Sequence, residues 1–548
     1  MMKRFVIVWM LCLSFSLLRA GEWQWSVPVK GCVSVETGKS QEAFLWIPPT
    51  CERVKAVMVG QQNMSEETLF ELSSFRQSME ELGIALLWIA PELSQSWDVS
   101  TGIQSVFDEA LNELAEVSGY TELAHAPIIP IGHSAQATFP WNFAAWNSER
   151  TLAVISLHGD APRTNLTGYG RANLEWGRTR NIDGIPGLMI EGEYEWWESR
   201  VRPALAFRMM YPSSCISFLC DTGRGHFDVA ERTAAYIALF IRKAMERRLP
   251  ETDGDRPLQL KKVNPLDGWL AERWYRGDEV EGETRLPAPA QSPRRARPAP
   301  FASYQGNPHD AFWYFDREMA ELTEKIYRQE RGKKPQYIGF EQDGELLPYN
   351  ERAHLRMTAR FLPETDGLTF RLKAVYTDST YEKITDNHAS DTPVITRVCG
   401  PVEQVDDTTF RISFYRMGMY NKRRTGSITL LAATPGDKQY KGTVQELSLD
   451  IPYRHTQGKR QHILFPGLPD VAVTTEKLPL KAISDCGLPV SYYVKTGPAM
   501  VKGDSLVFTQ IPPRSKYPIK VTVVAWQYGL SGSVQTAEPV ERSFYIGQ

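Results

Sequence analysis

The stretch Ala126-Pro127-Ile128-Ile129-Pro130-Ile131-Gly132-His133-Ser134-Ala135-Gln136 decides how the chain is read. Ala126–Ile131 is a short apolar run of the kind that forms a buried strand, and residues 137–146 read as a helix. A serine between a strand and a helix, two residues after a glycine, sits on a sharp turn that lifts its Oγ clear of the sheet. A histidine can reach it there, and the helix N-terminus favours negative charge developing beside it. The pattern points to cleavage of an acyl bond.

Outward from that turn, strands and helices alternate between residues 30 and 247. Lys30–Val35 and Glu42–Ile47 read as a hairpin, and Val54–Gly60, Ile84–Ile89, Leu152–Leu157, Gly187–Ile190 and Ile216–Leu219 as further strands. Glu66–Leu82 has a helical period through Leu69, Leu72, Phe75, Met79 and Leu82; Thr101–Ser118, Glu198–Tyr211 and Val229–Arg247 are the other helices. Such alternation predicts a mostly parallel sheet with helices on both faces.

Two later motifs fall into order behind the serine. Residues 184–195, ending Glu193-Tyr194-Glu195, form a strand with acids at its end, and Gly223-Arg224-Gly225-His226-Phe227-Asp228 is a histidine loop after the last strand. A serine is a poor nucleophile without a base in hydrogen-bond reach, histidine has the right intrinsic pKa, and a carboxylate fixes the imidazole tautomer. In this order of motifs, residues 30–247 resemble an α/β-hydrolase domain. The resemblance implies Ser134 as nucleophile, His226 as base and Glu195 as acid, with Glu193 the alternate. It also implies an oxyanion hole built from the N–H of Ala135 and one from Gln61 or Gln62, in the loop after Val54–Gly60. The family pattern carries a glycine two residues after the serine; here that position is Gln136, which is expected to reach into the pocket.

Aromatic residues crowd the expected loop side: Trp141, Trp146, Trp176, Trp196 and Trp197. Sugars stack on such rings, so Trp196, Trp197 and Trp141 are candidate substrate contacts, with Gln136, His158 and Asp160. His133 is a further candidate for the pocket wall, and residues 160–183 are long enough for a lid. Glu193 and Glu195, two residues apart on one strand end, are badly placed for a glycosidase pair. The nine histidines are scattered without a metal-ligand spacing, and no phosphate-cradling glycine motif stands out; neither metal nor cofactor is expected.

At 548 residues the chain holds several domains. Residues 1–20, with Lys3 and Arg4 ahead of the apolar Phe5–Leu18, read as a secretory signal peptide. Residues 21–250 are the α/β-hydrolase unit. Residues 251–308 are a proline-rich linker, with Pro287, Pro289, Pro293, Pro298 and Pro300 beside the basic Arg294-Arg295-Ala296-Arg297. Residues 309–470 are a helix followed by a β-sandwich: the period changes to two over Leu368–Tyr376, Val394–Cys399, Thr408–Met417, Ser427–Ala433 and Thr443–Leu449. Residues 471–548, including Ile519–Trp526 and Val540–Ile546, read as a smaller immunoglobulin-like sandwich. The net charge of −3 argues against a nucleic-acid partner. No segment beyond the signal is apolar for long enough to span a membrane.

An exported compartment permits disulfides. Cys32 and Cys51 flank the first hairpin and form a plausible pair, whereas Cys215 and Cys220 share one strand and cannot reach each other. Asn63-Met64-Ser65 and Asn165-Leu166-Thr167 are acceptor sequences for glycosylation. An exported α/β-hydrolase with trailing β-domains resembles bacterial carbohydrate esterases. That resemblance implies removal of acyl or methyl ester groups from a glycan through a Ser134 acyl-enzyme, with the β-domains bracing the catalytic unit. The rival expectations are a peptidase of the same fold, or a degenerate hydrolase domain serving as a glycan-binding scaffold, which Gln136 favours.

Overall fold

The computed structural model describes residues 22–33, 40–163, 174–195, 198–251, 258–275, 296–420 and 425–547, without the side chains of 32 and 33. The expected signal peptide, the proline-rich stretch through Arg295, Trp196, Trp197 and Asn165-Leu166-Thr167 lie outside these residues.

The first unit is built on eight strands: β1 (Trp25–Val33), β2 (Ser40–Trp46), β3 (Ala56–Gln61), β4 (Ile84–Ala90), β5 (Ile128–His133), β6 (Val154–Leu157), β7 (Pro186–Gly192) and β8 (Cys215–Asp221). They lie in the order β1-β2-β4-β3-β5-β6-β7-β8, antiparallel from β1 to β4 and parallel from there on. β3 to β8 are buried at every position, as strands covered on both faces must be. This is an α/β-hydrolase-like sheet. Among the described residues seven α-helices accompany it: α1 (Glu66–Glu71), α2 (Ser73–Leu82), α3 (Ile103–Ser118), α4 (Phe139–Trp146), α5 (Glu198–Met210), α6 (Glu231–Arg248) and α7 (Arg317–Gln329). The single helix expected over Glu66–Leu82 is broken at Leu72, whose extended backbone (φ −63°, ψ 124°) ends α1 and starts α2.

α7, expected at the head of the β-sandwich, packs instead against β8. Its Met319, Ala320, Ile326 and Tyr327 join the same core as Phe218, Phe312 and Phe315. The Tyr327 hydroxyl accepts the Cys220 N–H at 3.2 Å, and the Tyr314 hydroxyl donates to the Phe218 carbonyl at 2.6 Å. Strand Ala311–Tyr314 and α7 thereby cover the edge strand of the sheet.

Residues 337–450 form the middle sandwich. Its largest sheet runs Met357–Arg360, Thr443–Asp450, Ser427–Thr434, Val394–Cys399. The strand expected over Leu368–Tyr376 is two, Thr369–Arg371 and Lys373–Thr377, which enter different sheets. The C-terminal unit pairs a four-stranded sheet, including Ile519–Trp526 and Val540–Gly547, with a three-stranded one. Its Val521, Val523 and Phe544 share a core with Phe107, Leu111 and Leu114 of α3. It also bonds to the end of that helix, where Lys516 N–H donates to Ser118 O at 2.9 Å. Cys51, Cys215 and Cys220 are buried free thiols among the described residues; the side chain of Cys32, the expected partner of Cys51, lies outside them.

Two buried charge clusters tie the middle sandwich to the first unit. Arg416 meets Glu67 and, at 2.7 Å, Glu71, both on α1; Arg397 lies 3.4 Å from Glu67 and 3.8 Å from Glu71. The other tie is Lys441 to Glu193 at 2.6 Å, both buried. Removing one member strands a charge away from water, which is strongly destabilising. Arg416→Met is expected to cost about 3–5 kcal/mol, read as an earlier urea midpoint of the first unfolding transition. An unchanged midpoint would show that this cluster does not hold the two units together.

Candidate active site

Ser134, His158, Glu195 and His226 all follow the carboxyl ends of neighbouring strands, β5, β6, β7 and β8 in turn. This is the edge where open parallel sheets place their ligands. Ser134 has φ +53°, a left-handed conformation that costs a non-glycine residue about 1–3 kcal/mol and persists only where its surroundings enforce it. The turn is tight: a Cβ at Gly132 would fall 2.0 Å from the Gln136 carbonyl oxygen. Room on the other flank comes from Gly159 after β6, where a Cβ would collide with that of Ala137 at 1.9 Å. Gln136 is accordingly accommodated without the family's second glycine. It is 1% exposed and does not line the cavity, which corrects its expected role as a pocket group.

The turn delivers Ser134 Oγ to 2.9 Å from His226 Nε2. His226 Nδ1 faces Glu195 Oε2, and the second oxygen of the same carboxylate faces His158 Nδ1. The Gly192 N–H donates to Glu195 Oε1 at 3.1 Å. Burial alone would raise the Glu195 pKa, but the two imidazoles hold it well below the ordinary carboxylate value. Burial lowers the His226 pKa below that of a free imidazole, against the pull of Glu195. The serine, histidine and Glu195 of the sequence reading are thus brought into one hydrogen-bonded row. Glu193, the alternate acid, is not part of it: its two oxygens are spent on Lys441 and on the Gly223 N–H at 2.8 Å.

Other sequence candidates have structural roles. His158 is 1% exposed and touches Glu195 rather than the cavity. Asp160 is buried 3.6 Å from Arg200, and its carbonyl accepts the Trp141 indole N–H at 3.0 Å. Trp141 is wholly buried, with its ring against Gly187, and Trp176 is buried on Asn142. These indoles fill the core, so they are not sugar platforms. The Gln62 backbone N–H, expected in the oxyanion hole, donates to Ile89 O at 2.8 Å. The Gln61 side chain bridges the 93–94 turn, and neither glutamine lines the cavity containing Ser134.

Glu66 and Arg200 are supporting groups that escaped the sequence reading, and His133, expected in the pocket wall, is instead fully buried and does not line the cavity. Fully buried Glu66 accepts the His133 backbone N–H at 2.7 Å, and burial pushes its pKa up to about 8. The ring of His133 bonds the His226 carbonyl through Nε2 at 2.8 Å, linking the serine strand to the histidine loop. Burial keeps that ring well below its ordinary pKa, hence neutral and donating. Arg200 on α5 lies 3.9 Å from Glu195 and 3.7 Å from Glu191. A glutamate opening a helix behind a strand gives no period or spacing that marks it as a partner of a turn 67 residues away.

The cavity at Ser134 holds about 420 Å³. Tyr194, Arg200 and Phe227 form one wall; the other comes from the middle sandwich, with Tyr337, Tyr349, Glu351, His354, Arg356 and Tyr381 among its residues. Tyr349 and Tyr381 stack at 3.9 Å, and Arg356 donates to the Tyr349 hydroxyl at 2.5 Å. His354 approaches the His226 ring at 5.7 Å. His158, Glu195 and His226 are also the one group of metal-type donors that converges among the described residues, with ligand atoms within 4.8 Å of one another. Both carboxylate oxygens already face imidazole nitrogens, so a cation there would have to displace these contacts.

No family model matches the chain, and no curated protein sequence does. Solved structures resemble it in part. The fluorophosphonate-binding serine hydrolase FphF of Staphylococcus aureus is 12% identical over 41% of this chain and 99% of its own, with a TM-score of 0.28. Est1E from Butyrivibrio proteoclasticus is 17% identical over 38% and 96%, TM-score 0.27. A hyperthermophilic esterase from the archaeon Pyrobaculum calidifontis is 13% identical over 40% and 85%, TM-score 0.28. Likeness of this degree says nothing of substrate or reaction.

Gly132→Ala is expected to abolish fluorophosphonate labelling of Ser134, because the new methyl occupies the space of the Gln136 carbonyl. Labelling at the native rate in the folded variant would show that the turn is looser than described.

Proposed function

We propose that the protein is an exported serine hydrolase that cleaves carboxylic esters on a carbohydrate. The observation that carries this reading is the row Ser134, His226, Glu195 at the carboxyl edge of the sheet, with the serine held in a left-handed turn 2.9 Å from its base. Ser134 Oγ attacks the ester carbonyl carbon as His226 Nε2 takes the hydroxyl proton. Glu195 stabilises the imidazolium and fixes its orientation. The Ala135 N–H, next to the nucleophile, is the first donor to the developing oxyanion. His226 returns the proton to the departing alcohol, leaving an acyl-serine. Water attacks that ester with His226 again as base, releasing the acid and restoring Ser134.

The wall opposite Ser134 supports a carbohydrate alcohol. Tyr337, Tyr349, Tyr381, Ser379, Thr380, Gln445, Glu446 and Arg356 line the cavity from the sandwich, with Val444 as its aliphatic residue. Such a lining offers a polyol both hydrogen-bond partners and aromatic rings. Export is supported by the pattern of Lys3, Arg4 and the apolar Phe5–Leu18. The substituents that fit the reading are acetyl and feruloyl groups, with the sugar as the departing alcohol, and methyl esters, with the sugar carboxyl as the acyl part and methanol departing.

Native protein is expected to label with fluorophosphonate and to hydrolyse p-nitrophenyl acetate, with both activities lost in Ser134→Ala. Acetylated, methylated and feruloylated oligosaccharides should be cleaved in preference to long-chain p-nitrophenyl esters. A folded native protein that neither labels nor turns over would sink the hydrolase reading; cleavage of aminoacyl anilides instead of esters would favour the peptidase. The base must be neutral to accept the serine proton, and His226 is lowered below the ordinary imidazole value. The acid limb of kcat/KM should therefore fall below about pH 6.5, with activity lost as pH drops through it. A limb well above that value would assign the titration to another group.

A further inference from the structure

We infer that His158 is a positioning residue for the acid Glu195, making the working row four groups long, Ser134, His226, Glu195 and His158; this rests on the hydrolase reading above. Glu195 is buried, and its two oxygens are divided between two imidazoles, Oε2 to His226 Nδ1 and Oε1 to His158 Nδ1. A carboxylate only accepts, so each Nδ1 in contact with it donates its proton. His158 is held for this task from both sides. Its backbone sits in the left-handed region at φ +52°, and its own N–H donates to Ile190 O at 2.7 Å. Its ring lies against those of His226 at 5.6 Å and His133 at 5.4 Å. It does not line the cavity, so substrate contact does not explain it.

The arrangement has two consequences. The carboxylate plane is fixed at both ends, so Oε2 stays aimed at His226 while that ring gains and loses a proton. A donor on Oε1 also draws negative charge away from Oε2, which weakens the pull of Glu195 on the His226 proton and keeps the base available at lower pH. The other titratable or charged groups facing this pair are Arg200 on α5, His133 at the end of β5, Asp228 in the histidine loop and His354 from the sandwich. On Oε1, the far side of the carboxylate, the Gly192 backbone N–H and the His158 ring are the donors, and His158 is the side chain among them.

The test compares His158→Asn, whose side-chain N–H2 sits close to the position of Nδ1 and which tolerates the backbone, with His158→Leu, which has the same size and no donor. The first readout needs no catalysis. Proton NMR of native protein and of Ser134→Ala should show two strongly deshielded ring N–H resonances, and His158→Leu should lose one. The second readout is the acid limb of p-nitrophenyl acetate hydrolysis. It should move up by roughly one pH unit in His158→Leu, with kcat/KM falling up to about a hundredfold, and both should largely return in His158→Asn. A purely packing role would lower the rate without moving the limb. A native spectrum with a single deshielded proton, or two that both survive His158→Leu, or a limb that is unmoved or moves equally in both variants, would overturn the inference. Native protein showing both resonances but no turnover of any ester would count against the hydrolase reading alone.

Discussion

Two glutamates two residues apart are pulled in opposite directions, and the molecule is organised around that division. Glu193 turns to Lys441 and Gly223, whereas Glu195 turns to His226 and His158. Between them Tyr194 donates from its hydroxyl to Gly442 O at 2.5 Å and from its backbone to Arg224 O at 3.0 Å. One short turn after β7 is therefore bound to the sandwich, to the histidine loop and to the base at once. Lys441 and Glu193 are both buried, and a lone buried charge is too costly to persist. Displacing the sandwich would thus release the same turn that aims Glu195.

α1 repeats the arrangement on the other side of the serine. Glu66 turns to the backbone beside Ser134, and Glu67 and Glu71 turn to Arg416 and Arg397 of the sandwich. Successive residues of a helix point about 100° apart, so one turn can serve both masters. Ser134 and Glu195 are each backed by a short element whose neighbouring carboxylate anchors the middle unit. Bracing, which the sequence suggested for the β-domains, describes the C-terminal sandwich against α3 well. It understates the middle one, which supplies a wall of the cavity.

What was legible in the sequence followed local rules. Apolar runs such as Ile84–Ile89 were visible because burial on both faces leaves a pattern in consecutive residues, and the two long C-terminal strands because they are rich in β-branched and aromatic residues. Ser134, His226 and Glu195 were legible because turn chemistry and chain order constrain them. Sharing of a core was not legible: α7 has an amphipathic period that fits any apolar surface, and only the exposed edge of β8 decides where it lands. Leu368–Ala374 alternates strictly, yet the chain changes sheets at Leu372, which is decided by partners distant in sequence. The tryptophans misled because a large apolar ring is equally suited to a core and to a sugar, and Trp141 has Gly187 opposite to receive it.

The cavity owes its shape to this long-range architecture. A lid loop closes by paying ordering entropy each time a ligand enters. Here the second wall is instead a folded sandwich fixed through buried ion pairs, so its tyrosines and Arg356 stand opposite Ser134 before any substrate arrives. Pre-arrangement of that kind lowers the cost of orienting a polar ligand, whose hydrogen bonds are worth little unless both partners are already in place. It also limits what fits. A rigid two-walled cavity of about 420 Å³ admits a substituent and one or two rings rather than a folded chain. On the hydrolase reading, a polymer would have to present its ester on a side branch or at an end, and the residues that choose among esters would lie in the sandwich, not in the domain that carries the serine.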